Sequence, residues 1–412
     1  LGRLAVLGAR TGASLLTSRD GSGAAERAAE VLGNLRGLAA KVGQMASYVD
    51  GVVPEAHRDA YEASLRKLRA AAPTSSFDAI RRTIEEDLRG PLDRLFASFD
   101  AEPFASASIG QVHRATTNDG EEVAVKVQHH GISDAVEADL ENAGLLEGLA
   151  RTAGAGKLDS RGVLEEIRRR FREELDYGLE ADRQRAFRQL HARDPLIRVP
   201  RVFDARSSKR VLTTSLAKGT SLEEAARRSE AERRRDAETL WRFVFKGNLV
   251  LGMFNADPHP GNYLFSEDGT ISFLDYGCCV PIVTDRLANA RRLHLAALAR
   301  DESGFARAAK VLLETEPGPW EDFAIGYSRR CFEPLFGSPF AVTRAWTAGL
   351  VDVIRGTRKV ALSKGAAFTP LPAGMLFMNR LQFGFYSVLS RLEVEVDYAE
   401  VERAFLAEAE IG

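Results

Sequence analysis

The spacing of apolar positions changes several times along the chain, and each change marks an element. Over residues 24–90 small and apolar residues recur at helical spacing, as in AAERAAEVLGNLRGLAAKVGQMASYVD. Pro54 and Pro73 punctuate this region, PTSSFDAIRRTIEEDL offers Ser75 or Ser76 as the cap of an amphipathic run, and Gly90-Pro91 breaks it. Over 102–128 the pattern becomes strand-like: SIGQVHRAT, a turn at NDG, then EEVAVKVQ predict a hairpin. Helical spacing returns from Ile132 to Leu149 and runs again through Ser160–Leu190. IRVPRVFDARSSKRVLTTSL reads as two more strands around the turn DARSSKR. Beyond Gly219 the chain is mostly helical, with short strands in NYLFSEDGTISFLDYG. The order predicts an α+β chain: a helical N-terminal extension over 1–90, a mixed lobe over 91–217 and a larger helical lobe over 218–412. A small β-rich lobe joined to a helical one leaves a cleft, where ligands bind.

Composition narrows the classes. The chain has 412 residues, 45% hydrophobic and 28% charged, with a formal net charge of -2. That is a globular balance with no net basic field to neutralise a nucleic-acid backbone, so no nucleic-acid partner is expected. Cys278, Cys279 and Cys331 form no disulfide framework, and the adjacent pair does not match metal-site spacing, which points to a reducing, cytoplasmic setting. No run of about 18 apolar residues occurs, so no transmembrane helix is expected and any membrane contact would be peripheral, at the inner face. Gly374–Leu392, GMLFMNRLQFGFYSVLSRL, reads as a core helix or as an interfacial one.

The candidate chemistry begins in the hairpin. Ala105, Ser106, Ala107, Ser108, Ile109 and Gly110 form a small-residue loop whose backbone N–H groups could hold phosphate oxygens. Such loops usually rely on glycine. Alanine and serine permit the close approach but disfavour left-handed conformations, so this loop should be stiffer. Lys126 lies in an otherwise apolar strand; it faces water at an edge, or it points inward and needs a partner. On the long helix Asp176 and Glu180 are four apart on one face, and Glu174 would lie roughly 160° around from Asp176. The sharpest pattern is ADPHPGNYLF followed by ISFLDYG. Asp257 and Asn262 are five apart across a Pro- and Gly-containing loop, and Asp275 follows a β-type run. That is the kinase arrangement, with one Asp toward the acceptor and Asn plus Asp on Mg2+. His259, between them, reads as structural. Lys41 and Gln44 of KVGQ share a helix face beside Gly43.

Together these residues resemble the UbiB/ABC1/ADCK family of atypical protein-kinase-like proteins. KVGQ is similar to its KxGQ motif, ASASIGQVHRA to its alanine-rich loop, VAVK to its nucleotide lysine, Glu174–Asp176 to its ExD motif, and DPHPGN and LDYG to its catalytic and metal loops. The resemblance covers about residues 25–390. It implies a bilobal, protein-kinase-like fold with the KxGQ helix packed over the active site. Lys41 would be a gatekeeper reaching toward the carboxylates of Glu174 and Asp176, and Glu180 would pair with Lys126. It also implies binding of ATP or ADP with Mg2+, ATPase or lipid-directed activity in preference to protein phosphorylation, and partners among isoprenoid or quinone-like lipids, peripheral membrane or lipid enzymes. A nucleotide-gated lipid-binding or scaffold protein is the alternative. Two departures stand out. The loop reads ASAS where the family commonly has Ala-Ala-Ala-Ser, and Ser215 follows VLTT where a glutamate is usual.

Overall fold

The computed structural model describes residues 75–106, 109–134, 136–137, 168–169, 172–255, 257–350, 353 and 384–410. Lys41, Gln44, Ala107 and Ser108 lie outside the described residues, as does the extension up to residue 74. The chain forms two compact units. The first takes in residues up to Leu175 together with Ala205–Thr213, and the second takes in Asp176–Asp204 and the chain from Thr214 onward.

The first unit opens with α1, Phe77–Leu88, capped by Ser76, whose hydroxyl accepts from the Ala79 N–H. Ile80 and Ile84 are its buried stripe, and Arg89 ends it in the left-handed conformation. α2, Leu92–Leu95, is a single turn. The strands β1 (Ser98–Phe99), β2 (Ala105–Ser106), β3 (Gly110–Thr116) and β4 (Glu122–Gln128) follow. β5, Ile197–Arg198, belongs to the second unit, and β6, Val211–Ser215, completes the sheet in the order β1-β3-β4-β6, with β2 also on β3. The predicted hairpin is β3–β4, turning at Gly120 with φ 87°.

Alternation decides what each face of that hairpin does. Val123, Val125 and Val127 are fully buried, while Ala124 and Lys126 are half-exposed on the opposite face. The core side carries polar groups as well. Gln111 donates to His113 Nε2 (2.9 Å), His113 Nδ1 pairs with the Asp100 carbonyl (2.8 Å), and the Ser75 N–H donates to Gln111 Oε1 (3.0 Å). Ser75 Oγ meets His129 Nδ1 at 2.9 Å. Burial lowers the pKa of both histidines. This network pins the chain to the sheet where it enters at Ser75, so of the two cap candidates Ser76 caps and Ser75 anchors.

In the second unit α3, Tyr177–Leu190, starts at Asp176, which caps it by accepting from the Leu179 N–H at 3.2 Å. The single helix expected over Ser160–Leu190 is therefore broken at Leu175–Asp176, which cancels the angular argument placing Glu174 around the same helix. The reason is local: an Asp that accepts from the N–H three residues on favours starting a helix over continuing one. A second correction concerns β5. It pairs in parallel with β9 (Ile271–Phe273), and not with β6, so the expected strand pair survives only as a Val202–Thr214 bridge.

α4 (Leu222–Ala225) and α5 (Glu230–Lys246) both begin with capping boxes, Ser221 with Glu224 and Ser229 with Glu232. β7 (Met253–Asn255) pairs with β10 (Cys279–Pro281), and β8 (Tyr263–Phe265) forms a hairpin with β9. Helices α6 (Thr284–Leu298), α7 (Glu302–Leu313), α8 (Pro319–Cys331), α9 (Glu333–Phe336) and α10 (Tyr398–Glu408) build the rest, with β11 (Phe340–Ala341) on β12 (Glu395–Val396). Residues 384–389 are helical, and Phe385, Tyr386, Val388 and Leu389 are buried, with Phe385 and Tyr386 beside Trp241, so this end of the Gly374–Leu392 segment is core. Among the described residues no helix is long and apolar enough to cross a membrane.

An aromatic stack joins these elements. Phe243 of α5 lies on Phe273 of β9, with ring centres 3.6 Å apart and planes 11° apart. Phe187 of α3, His191 and Tyr276 pack around the pair. A Cβ on Gly247 would sit 2.7 Å from the Phe187 ring, so only glycine lets the turn after α5 approach. Burial pushes the His191 pKa down to about 3 from 6.5, helped by Lys246 and Arg242 and opposed by Asp194. A depressed histidine pKa means the unfolded chain binds the proton more tightly. The neutral ring's contribution is thus complete above pH 6.5 and is lost as the pH falls toward 3. His191→Phe should keep the stack and flatten the acid-side loss of stability; urea unfolding at pH 7 and pH 5 checks this, with wild type losing more than the variant.

Candidate functional site

In the first unit the sheet register sets Ala105 opposite Val112, and Val112 opposite Lys126. Directly paired residues share a face, so Ala105, Val112 and Lys126 form one row on the side away from the buried valines. Two strand spacings put the ends of that row roughly 10 Å apart. Ala105 of the small-residue loop and the strand lysine of the sequence reading are therefore brought to one face. Ala105 and Ser106 are exposed and already strand, while Ile109 turns inward at 4% exposure. Gly110 starts β3. Glu174, half-buried, closes this unit. The adjoining Leu175 carbonyl is held by the buried amide of Gln128 at 3.0 Å.

In the second unit the carboxylates gather on two loops that Asn255 joins. Its Nδ2 donates to the Asp275 carbonyl at 2.6 Å, and its Oδ1 accepts from the Asp257 N–H at 3.0 Å. Asn262 closes the first loop from the other end, with Nδ2 donating to the Asp257 carbonyl at 3.0 Å and lying 3.4 Å from Asp257 Oδ2. The Leu274 N–H donates to the Asn262 carbonyl at 3.0 Å. Asp257, Asn262 and Asp275, found by spacing alone, thus sit in one hydrogen-bonded assembly.

His259 has a structural part, as its neighbours suggest: its Nδ1 accepts from the Gly261 N–H at 3.0 Å and shapes the turn into Asn262. Beyond Asp275, Oδ1 accepts from the Gly277 N–H at 2.9 Å, and Arg183 of α3 donates to the Gly277 carbonyl at 2.9 Å. A Cβ built on Gly277 would lie 3.3 Å from Asp275 Oδ1 and 3.4 Å from Glu180 Oε2. Glu180, 4% exposed, therefore points to the Asp275 loop. Asp176, one turn earlier, caps α3 through Oδ1.

Sequence reasoning missed Asn255 and Arg183. The first was visible as a polar residue at the end of an apolar strand, FN-ADPHPGN; nothing in the pattern singled out the second. With Nδ2 engaged, Oδ1 is the atom of Asn262 able to ligate a cation. One amide oxygen and one carboxylate suit a hard cation that completes its shell with phosphate oxygens and water. The described residues contain no cluster of three or more His, Cys, Asp or Glu side chains able to hold a metal alone.

A lysine strand under a small-residue turn, and an Asp…Asn loop tied to an Asp-Tyr-Gly loop, define a protein-kinase-like domain. The model of the ABC1 atypical kinase-like domain matches residues 67–309, and the chain belongs to that family. It is 38% identical over 234 residues to an uncharacterized protein of Mycobacterium tuberculosis, covering 54% of this chain and 47% of the relative. It is 26% identical over 406 residues to the mitochondrial atypical kinase COQ8B of Danio rerio, covering 95% of this chain and 62% of that protein. A solved Mycobacterium tuberculosis protein in complex with erythromycin superposes with a TM-score of 0.63 at 27% identity, over 91% of this chain and 94% of the other. The chain spans about half the length of the first of these relatives.

Asn255→Ala removes the bond to each loop and leaves a half-buried carbonyl without its partner. The expected loss is about 1–3 kcal/mol of stability, read by urea denaturation against Asn255→Asp, which keeps the acceptor to Asp257 but not the donor to Asp275.

Proposed function

We propose that the protein is a Mg-ATP-binding atypical kinase or ATPase that serves quinone or other isoprenoid lipid metabolism and does not phosphorylate proteins. The observation that carries this reading is the Asn255 tie, which fixes Asp257, Asn262 and Asp275 in one assembly. In this reading Asn262 and Asp275 would hold Mg2+, which would supply positive charge to offset that of the phosphates. Lys126 adds positive charge at the phosphates, and backbone groups of Ala105–Gly110 cradle them. Asp257, held by its N–H and by Asn262, orients the acceptor hydroxyl or water and takes its proton. Glu180 sets the position of the Asp275 loop through Gly277. Lys41 and Gln44, with Glu174 and Asp176, take the gatekeeping role that the family resemblance assigns.

One feature favours a small acceptor over a protein. Only Ile282 and Val283 separate β10 from α6, leaving little chain for a peptide-docking activation segment. The lipid side of the proposal rests on family membership. The described end of the Phe- and Met-rich segment is buried and so lends no support to the scaffold alternative.

Thermal unfolding with ATP or ADP, with and without Mg2+, tests the reading. At a ligand concentration about 100 times Kd the added stability is about 2.7 kcal/mol, a midpoint shift of a few degrees. Asp275→Asn should remove the Mg2+ dependence and lower ATP turnover by about 100-fold or more; a wild-type protein showing no Mg2+-dependent shift overturns the proposal. Ala105 shares a face with Lys126, so Ala105→Gly, by loosening the turn, should change the ratio of ATP to ADP affinity. Isothermal titration of both nucleotides measures that ratio.

A further inference from the structure

The second unit holds a cavity of about 470 Å3 that contains none of the residues of the proposed nucleotide and metal site. Its polar lining includes His191, Arg188, Arg198, Lys218, Asp194 and Ser215, and Ile197, Pro200 and Leu216 add apolar surface. Three cations against one acid leave the lining positive. The acid, Asp194, is also spoken for, since its Oδ2 lies 2.6 Å from Arg242 Nε and its Oδ1 accepts from the Leu196 N–H at 3.0 Å. Arg188 uses Nη1 on the Val199 carbonyl at 2.7 Å, which fixes its guanidinium at the wall. Arg198 reaches Asp268 at 2.8 Å at a solvent-exposed pair, where the attraction is weak.

His191 turns this from a charged hollow into a candidate site. It is 3% exposed, and neither Nδ1 nor Nε2 has a hydrogen-bond partner. Phe243 stacks on its ring with centres 5.1 Å apart, so hydrogen bonding is left to the ring edge. A buried polar group without a partner is costly, and native structures rarely leave one so. An imidazole N–H at the wall of a cationic cavity calls for an acceptor oxygen, and anionic oxygens make the strongest such bonds. Ser215 matters by its size: a glutamate there would bring bulk and a negative charge to the same wall.

We propose that this cavity binds a small organic anion, with a carboxylate or phosphate head held by Arg188, Arg198, Lys218 and the His191 N–H, and an apolar body on Ile197, Pro200 and Leu216. The proposal is independent of the nucleotide reading.

Isothermal titration of the full chain with phenyl phosphate and benzoate, alongside inorganic phosphate and neutral benzyl alcohol, tests it, with the histidine ring nitrogens followed by NMR. Binding of phenyl phosphate or benzoate with a Kd below about 1 mM is expected, at least about tenfold tighter than benzyl alcohol. Which of the two binds tighter identifies the head group. The His191 ring signals should shift, and saturating Mg-ATP should leave the affinity unchanged. Arg198→Gln, at an exposed position that should not disturb folding, is expected to weaken binding about five- to tenfold, and Ser215→Glu to abolish it. The proposal is overturned if neither aromatic anion binds at about 10 mM, or if inorganic phosphate or benzyl alcohol binds as well. Displacement by Mg-ATP, or binding that ignores both variants and leaves the His191 signals in place, also overturns it.

Discussion

The second unit depends on the face-to-face contact of Phe243 and Phe273. It locks α5 to β9, and everything chemically interesting in that unit hangs from one of those two elements or from their neighbours. β9 runs directly into Leu274 and Asp275, and α5 leads through the Gly247–Leu251 turn into β7 and Asn255. Displacing either ring would move Asp275 or Asn255, and with it the 2.6 Å bond that joins the two acidic loops. Phe187 extends the stack to α3, which carries Glu180 and Arg183. A dry, close-packed base is what allows short loops above it to hold carboxylates in fixed positions, since packed aromatic rings resist sliding.

The first unit meets a related demand by different means. Its sheet has one face of valines and one face bearing Lys126, and the valine face also contains Gln111 and His113. Those buried polar groups are satisfied by one another, by Ser75 and by the Asp100 carbonyl. Such a network is directional where valine packing is not. It specifies where the chain preceding α1 enters and which register β3 keeps. A slip of one residue would exchange Lys126 for a valine on the exposed face.

Much of this was legible in the sequence where the pattern was short and local. The NDG turn, the alternation in VAVKV, the cap before α1 and the DPHPGN and LDYG loops each depend on residues a few positions apart, and each appears where expected. What escaped depended on contacts distant in sequence. β5 reads as the neighbour of β6, yet it joins β9 about seventy residues further on, in a parallel pairing that no turn announces. The break at Leu175–Asp176 was hidden because EELDYGLE keeps helical composition on both sides, and only the side chain of Asp176, folded back on Leu179, reveals the restart. Arg183 and His191 were invisible for a like reason: their meaning lies in partners, or in the lack of them, supplied by other elements.

Gly277 shows how tightly the acidic loop is drawn in. Its missing side chain leaves the space in which Asp275 Oδ1 and Glu180 Oε2 approach, and Arg183 grips its carbonyl from α3. Two carboxylates brought toward one point repel, and more strongly where water is scarce. Nearby positive charge offsets that repulsion: Arg183 supplies it permanently, and a bound cation at Asp275 would add to it. The same argument sets the character of His191, eight residues along the chain from Arg183 by way of α3 and its end. There the surplus charge is positive and the ring stays neutral, so the species that relieves the imbalance is an anion.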